Sequence, residues 1–489
     1  MRLGQTSFIQ FLSNVVTSAI GFLATLYFAR TLGAETLGIY YLLLAVVSWL
    51  RLAGEMGVGG AITKRVSEGE DRGAYLVTGA FLISSLTAVM VAAIAGGASV
   101  IQSYIGHPNG AVFVVVLIVT TLVYGYQAAA LRGQQLVHLL AGISTLRTIA
   151  RAVLQVGLVA LGYEVLGLVT GWAAGTALAA TIGMVIVLRA LYGGGDALVR
   201  PNYEHLQGLT SYAKYSWLGG VRGRTFNWID VAILGLFAPA NLIGIYSVAW
   251  YIASFLQIFG KSIRTSMFPE MSQLSADNDH DQVRGLLADG LAFGGLIIIP
   301  GLVGGVLLGE RLLQIYGSEF VIGIAVLGPL IFAVLIYDYQ LQISNTLNAI
   351  DRPDLSFRLN AVFIVTNVGL NLVFIRIYGW IGAAIATVLS AFIGLIVAIY
   401  YLRRMMAVTV PIREIARQWL AAGVMGIVVQ SALWMESTYR ILAHNAATVI
   451  AIVTLGAGVY VFTLFVISSR FRGVVRDNSP VEIPSVGAP

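Results

Sequence analysis

Charged residues set inside long apolar runs are where this chain can do chemistry. Arg222 and Arg224 share one apolar stretch with Asp230, Arg51 and Glu55 lie in another, Lys261 and Arg264 in a third, and Asp338 in a fourth. A charge at the centre of a bilayer costs about 2.5–3.5 kcal/mol on insertion scales, so such residues should face a cavity or a partner. Guanidinium stays ionised and binds phosphate as a bidentate fork, so Arg222 and Arg224 suit a phosphate or pyrophosphate group crossing a low-dielectric path. On a regular helix the two point about 200° apart and share a face only if the helix breaks. Gly219, Gly220 and Gly223 offer a place for a break. The alternative is a structural pair with Asp230, or snorkelling to the interface.

Arg51 and Glu55 are one helical turn apart and can pair on one face. They read either as a phosphate-binding cation controlled by an acid or as a simple helix salt bridge. Lys261 and Arg264 are one-sided, and Arg264 is expected to face Arg51 across a cavity or to snorkel to headgroups. Arg147 and Arg151, four residues apart with no acid nearby in sequence, are expected at the cytoplasmic interface. Asp338, isolated between Tyr337 and Tyr339, is a candidate proton carrier. Trp217, Trp228 and Trp250 are candidates for stacking on sugar rings.

The elements that position these residues are membrane helices. Of the 489 residues 58% are hydrophobic and 11% charged, with a mean hydropathy of +0.85. Soluble domains carry about 25% charged residues, so most of this surface faces lipid. Apolar stretches long enough to cross a roughly 30 Å core as helices recur throughout. They are expected near 6–29, 36–58, 75–96, 110–131, 141–161, 164–188, 212–237, 241–268, 287–308, 321–345, 358–377, 380–402, 413–434 and 444–468. Continuous runs such as Ala111 to Leu122 lack the alternation of a β-barrel. Met1 to Gln5 leads straight into the first stretch, which is expected to be retained rather than cleaved.

Lys and Arg fall unevenly between alternate connections. One set holds Lys64, Arg65, Arg132, Arg403 and Arg404 among others, whereas the opposite set holds Arg311, Arg440 and the helix-end residues Arg30 and Arg376. The positive-inside rule then predicts cytoplasmic N- and C-termini in the cell membrane of a prokaryote. The +6 net charge is accounted for by these topology determinants beside anionic headgroups, and no basic run with interleaved aromatics calls for nucleic acid. Outer connections are short, the longest near Glu310 to Phe320, which leaves no room for an external catalytic domain. Gly260-Lys261-Ser262 lacks the upstream glycine of a phosphate-binding loop, Phe255 standing there. The five histidines are scattered, and there are no cysteines, so no metal or cofactor is expected.

The chain also repeats itself. Leu37-Gly38-Ile39-Tyr40 recurs as Ile243-Gly244-Ile245-Tyr246, Tyr124-Gly125-Tyr126-Gln127 as Tyr337-Asp338-Tyr339-Gln340, and Val156-Gly157-Leu158 as Val368-Gly369-Leu370, in constant order. This predicts a parallel duplication of six helices, the arrangement of a transporter with a cavity between halves. The expected division is a lobe over 1–188, a cytoplasmic linker over 189–211, a second lobe over 212–402, two accessory helices over 403–468 and a cytoplasmic tail over 469–489. The fold class is thus all-α integral membrane, with about fourteen transmembrane helices.

Phe28-Ala29-Arg30-Thr31-Leu32-Gly33 with Gly38-Ile39-Tyr40, the Glu55-Met56-Gly57-Val58-Gly59 turn, Asp230 before Gly244-Ile245-Tyr246, and the stretch from Asp351-Arg352-Pro353 to Gly379-Trp380-Ile381-Gly382-Ala383-Ala384 resemble the Wzx-type flippases. These belong to the superfamily that includes multidrug and toxic-compound extrusion proteins. The resemblance covers essentially the whole chain. It implies fourteen helices in two lobes and movement of an undecaprenyl- or dolichyl-linked oligosaccharide from the cytoplasmic to the outer leaflet, by a monomer in contact with membrane lipids. Glu55 stands where the family more often has Asp, and Arg51 is not a standard feature, which leaves substrate and coupling ion open. The rival expectations are an ion-coupled exporter of cationic drugs, which would want acids rather than arginines in its cavity, and a membrane glycan polymerase or ligase. The second would need paired carboxylates or a histidine cluster that the outer loops lack.

Overall fold

The computed structural model describes the backbone of residues 3–193, 199–407, 410–439 and 444–478, and the side chains of these except 3–16, 214–222, 475 and 477–478. All regular structure among the described residues is helical. In chain order the helices are α1 (Leu3–Glu55), α2 (Val58–Glu68), α3 (Arg72–Gly96), α4 (Ala98–Ile105), α5 (Gly110–Gly133), α6 (Val137–Ala160), α7 (Glu164–Gly193), α8 (Tyr203–Phe237) and α9 (Ala240–Phe255). There follow α10 (Ile258–Ala276), α11 (His280–Gly294), α12 (Ile298–Tyr316), a 3-10 turn (Ser318–Gly323), α13 (Ile324–Ala349), α14 (Pro353–Tyr378), α15 (Trp380–Met405), α16 (Ile412–Tyr439), α17 (Asn445–Ile467) and α18 (Ser469–Asn478). The dominance of helix follows from lipid offering no hydrogen-bond partner to an unpaired backbone group.

Among the described residues eleven helices are long and apolar enough to cross a membrane, or twelve if the pair α9 and α10, bent by 46°, is one span. Two features separate this number from the expected fourteen. The segments expected at 6–29 and 36–58 run together in α1, interrupted only at Gly33, whose backbone (φ 78°, ψ 175°) is not helical. The segment expected at 212–237 lies in α8, which is helical throughout Tyr203–Phe237 but includes 214–222, whose side chains lie outside the described residues, so it does not enter this count. Around Glu310 to Phe320, where a long outer connection is expected, α12 instead continues to Tyr316 and the 3-10 turn follows directly.

The chain forms two compact units. The first comprises Met1–Ser247 with Ile375–Ala383, and the second Val248–Phe374 with Ala384–Pro489.

Small residues set the packing of the first unit. A Cβ at Gly38 would fall 1.7 Å from the Ala240 carbonyl oxygen, and one at Gly244 would fall 2.0 Å from that of Ala34. The two copies of the Gly-Ile-Tyr motif therefore meet backbone to backbone, as small residues allow in membrane helices. Gly171 and Gly175 of α7 lie against the backbone of Gln155 and Arg151, which brings α6 and α7 close over much of their length. In the second unit a buried cluster of Met271, Leu287, Leu291, Ile343, Leu347 and Leu402 ties together α10, α11, α13 and α15.

Candidate functional site

The site in the first unit begins where α1 ends. Met56 (φ 40°) and Gly57 (φ 78°) are both left-handed, so the helix stops at Glu55 and restarts at Val58 within an otherwise apolar path. A non-glycine residue in this region is uncommon, and two in succession turn the chain sharply. The interruption projects the last turn of α1 toward α5 and α8. Arg51 Nε donates to Glu55 Oε1 at 2.6 Å, and Arg224 of α8 donates to Glu55 Oε2 at 3.5 Å.

These three side chains, with Tyr124, Gly125 and Arg132 of α5, line a cavity of about 160 Å³. Gly125 is required by the carboxylate itself, because a Cβ there would meet Glu55 Oε1 at 2.7 Å. One carboxylate between two guanidiniums leaves the cluster net cationic, so it holds the arginines together while leaving charge for an incoming anion. The side chain of Arg224 is 17% exposed and that of Arg51 34%, so both reach an accessible space.

Arg222, expected to act with Arg224, has its side chain outside the described residues, as does Trp217. The helix break proposed to bring the two arginines onto one face does not occur, because α8 is helical without interruption from Tyr203 to Phe237. Glycine permits a break but does not impose one when neighbouring helices pack against the segment. Asp230 is buried and accepts a 2.5 Å hydrogen bond from the hydroxyl of Tyr246. The acid and the second Gly-Ile-Tyr motif thus belong to one structural contact. Trp228 is half-buried in this unit, and Trp250 is half-buried in the other.

The second unit carries its own charge pair. Arg264, on α10, pairs with Asp338 of α13, whose side chain is fully buried. Asp338 is therefore not the isolated acid that its sequence neighbours Tyr337 and Tyr339 suggest, since its cation comes from a helix far away in sequence. Arg264 correspondingly points inward rather than to headgroups, because the bent α9–α10 pair runs on to Ala276 and places it in the interior of that path. Lys261 stays exposed. The carboxylate of Asp338 lies over Gly260, where a Cβ would be 2.5 Å from it. Each unit thus sets one acid against a bare glycine, with one of the two on an interrupted or bent helix. In the first the acid is on the interrupted helix and the glycine is Gly125; in the second the acid stands at the position repeating Gly125.

Sequence reasoning missed the partners of two arginines. Arg147 and Arg151 each stack on an aromatic ring: the Arg147 guanidinium lies 4.0 Å from the centre of the Tyr124 ring, and that of Arg151 lies over the Trp172 ring. The signal was present in the i, i+4 spacing inside an apolar run, but the aromatic partners come from α5 and α7. The second unit also contains an apolar cavity of about 530 Å³ lined from α12, α16 and α17, by residues including Pro300, Gly304, Met425 and Val449.

Comparison with known proteins bears on what such a site is for. Residues 3–275 match the family described as polysaccharide biosynthesis protein, and residues 224–373 match the family described as MatE. A Haloferax volcanii protein described as "Probable flippase AglR" is 32% identical over 480 residues, covering 97% of this chain and 98% of its own. A second from the same organism, "Probable low-salt glycan biosynthesis flippase Agl15", is 28% identical over 404 residues, covering 82% and 84%. Among solved structures, the lipid II flippase MurJ in an inward closed conformation superposes with a TM-score of 0.77 at 16% identity, over 96% of this chain and all of that one.

Proposed function

Because the chain belongs to the polysaccharide biosynthesis protein family, within the exporter superfamily of multidrug, oligosaccharidyl-lipid and polysaccharide carriers, we propose that it flips a lipid-linked glycan across the cell membrane. The carrier is a polyprenol, undecaprenyl or dolichyl, joined to the sugar through phosphate or pyrophosphate. The movement runs from the cytoplasmic to the outer leaflet by alternating access. Taking the two halves of α1 separately and admitting α8 brings the spans to fourteen, in two parallel sets of six with α16 and α17 in addition, and with both termini cytoplasmic. The interruption after Glu55 and the bend between α9 and α10 fall at corresponding places in the two proposed repeats, which supports that layout.

The observation that carries the reading is the cavity at the end of α1, where Arg51 and Arg224 flank a single carboxylate. A phosphate oxygen can replace the Glu55 oxygens at either guanidinium without desolvating a new cation, so the energetic cost of entry falls on one displaced carboxylate. The apolar cavity of the second unit offers hydrocarbon surface of the kind a polyprenyl tail needs. The names given to the Haloferax relatives point the same way. A drug exporter is the second reading, favoured by the MatE match over residues 224–373. Against it, the interior acids Glu55 and Asp338 are already held by arginines and are poorly placed to attract a cationic drug.

The test is leaflet-resolved accumulation of lipid-linked glycan in cells deleted for the gene and complemented with wild type, Arg51→Gln or Arg224→Gln. Cytoplasmic-facing glycan should build up in the deletion strain and in both variants, and wild type should clear it. Normal surface glycan in the deletion strain, without a second flippase, would refute the assignment, and loss of drug efflux in that strain would favour the exporter.

A further inference from the structure

Arg147 and Arg151 present a problem that the Glu55 cavity does not solve. They stand one turn apart on α6, about 15 and 21 Å along the helix from Val137 at 1.5 Å per residue. That is deep within a path apolar enough to cross a membrane. Among the described residues no carboxylate pairs with either, and the Nε of each is buried without a hydrogen-bond partner. Like charges four residues apart on a helix repel, and an unpaired interior cation is costly to keep. Yet the fold builds carefully around them. Gly175 is bare so that the backbone of Arg151 can approach α7, which carries the Trp172 ring beneath its guanidinium. Trp172 is in turn braced edge-on by Tyr40, 6.3 Å between ring centres, and the Tyr40 hydroxyl accepts a 2.9 Å hydrogen bond from Gln155.

The manner of support is informative. A guanidinium stabilised by an acid has its N–H edge occupied, whereas one stacked on a ring has only its face covered. The N–H groups lie in the guanidinium plane, so stacking leaves that edge unoccupied by an acid; the Nε of each is enclosed, and both residues are only half-buried, which leaves the rest of the edge for a planar or tetrahedral anion. Two such edges a helical turn apart carry two positive charges with no acid among them, whereas in the first cavity Glu55 already occupies Arg51 and Arg224. The stations are contiguous: Tyr124 lines the first cavity and lies under Arg147.

We propose that Arg147 and Arg151 form a second anion-binding station, deeper along α6 and free of carboxylate, that receives a phosphate or carboxylate group of the lipid-linked glycan after the Glu55 cluster admits it. The proposal rests on the flippase reading and adds to it an order of encounter. A dianion at this pair meets no competing carboxylate, whereas in the first cavity it must displace Glu55, and this difference draws the headgroup on from the Glu55 cavity. Phosphate of the carrier and an acidic sugar offer the same chemistry to a guanidinium edge, and separate ligands tell them apart.

The experiment uses the purified full-length protein in nanodiscs, titrated with polyprenyl diphosphate, with a polyprenyl-phosphate-linked uronic acid, and with the methyl ester of that uronic acid. In wild type, saturation with polyprenyl diphosphate should change tryptophan emission, and Trp172→Phe should remove most of the change. Arg147→Gln and Arg151→Gln should each weaken binding by about tenfold or more, with Arg147→Lys and Arg151→Lys closer to wild type. Unliganded melting temperatures identify any variant that fails to fold, and for such a position the lysine variant carries the test. Weakening confined to the uronic acid, relative to its ester, assigns the station to the glycan; weakening of polyprenyl diphosphate assigns it to the carrier. Folded glutamine variants that bind every ligand as wild type does would overturn the second station and leave the flippase reading standing. Wild-type protein that binds none of the ligands would overturn both.

Discussion

Removing one partner of the Arg264–Asp338 pair should cost more than removing both. Asp338 is fully buried and the Arg264 side chain is 12% exposed, so neither charge can turn to water when left alone. Breaking a buried pair from one side typically costs about 3–5 kcal/mol, because an uncompensated ion remains. Asp338→Asn keeps the volume over Gly260, where a Cβ would lie 2.5 Å from the carboxylate, and so removes charge without opening space. Arg264→Gln removes the charge from the other side while keeping a polar side chain. In the double variant no charge is stranded, and the cost of holding ions in the membrane interior, about 2.5–3.5 kcal/mol for each on insertion scales, is relieved. The expected pattern is therefore two singles each destabilised by about 3 kcal/mol or more and a double near wild type, a coupling of several kcal/mol. The assay is a denaturation series on purified protein in one detergent, followed by tryptophan emission and referenced to wild type. Strict additivity, with the double at the sum of the singles, would show that the two side chains do not meet in the folded protein and would refute the reasoning.

Two further outcomes follow from close contacts. Gly244→Ala places a methyl group 2.0 Å from the Ala34 carbonyl oxygen, which is backbone and cannot rotate away, so it should lower the melting temperature and the yield of folded protein by far more than Gly96→Ala, whose Cβ meets nothing within 4 Å. Gly125→Asp should abolish glycan display because its Cβ already falls 2.7 Å from Glu55 Oε1, whereas Gly125→Asp with Glu55→Gly should recover display by reproducing the acid-on-α13 arrangement of the second unit; a double variant as inactive as the single would refute the equivalence of the two acids.

The sequence by itself determined the solvent of this protein and the kind of structure it forms. Hydropathy and charge are properties of consecutive residues, and a bilayer responds to them segment by segment, so most of the expected spans coincide with helices such as α5, α14 and α17. It also singled out Arg51, Glu55, Arg224, Arg264 and Asp338, because any charge inside an apolar run demands an explanation. What only the tertiary structure decided was which of them meet. Glu55 and Arg224 are joined from α1 and α8, Arg264 and Asp338 from α10 and α13, and Arg147 and Arg151 find rings on α5 and α7. A helical period tells which way a side chain leaves its own helix, but not which helix stands there. That depends on where bare glycines such as Gly38, Gly175 and Gly244 let backbones touch, and on the left-handed turn at Met56 and Gly57 that ends α1 beside α5. Close approach is settled by the summed packing of residues distant in sequence, so an acid that looks isolated along the chain can be paired in space, and arginines without an acid nearby in sequence can find aromatic rings on other helices.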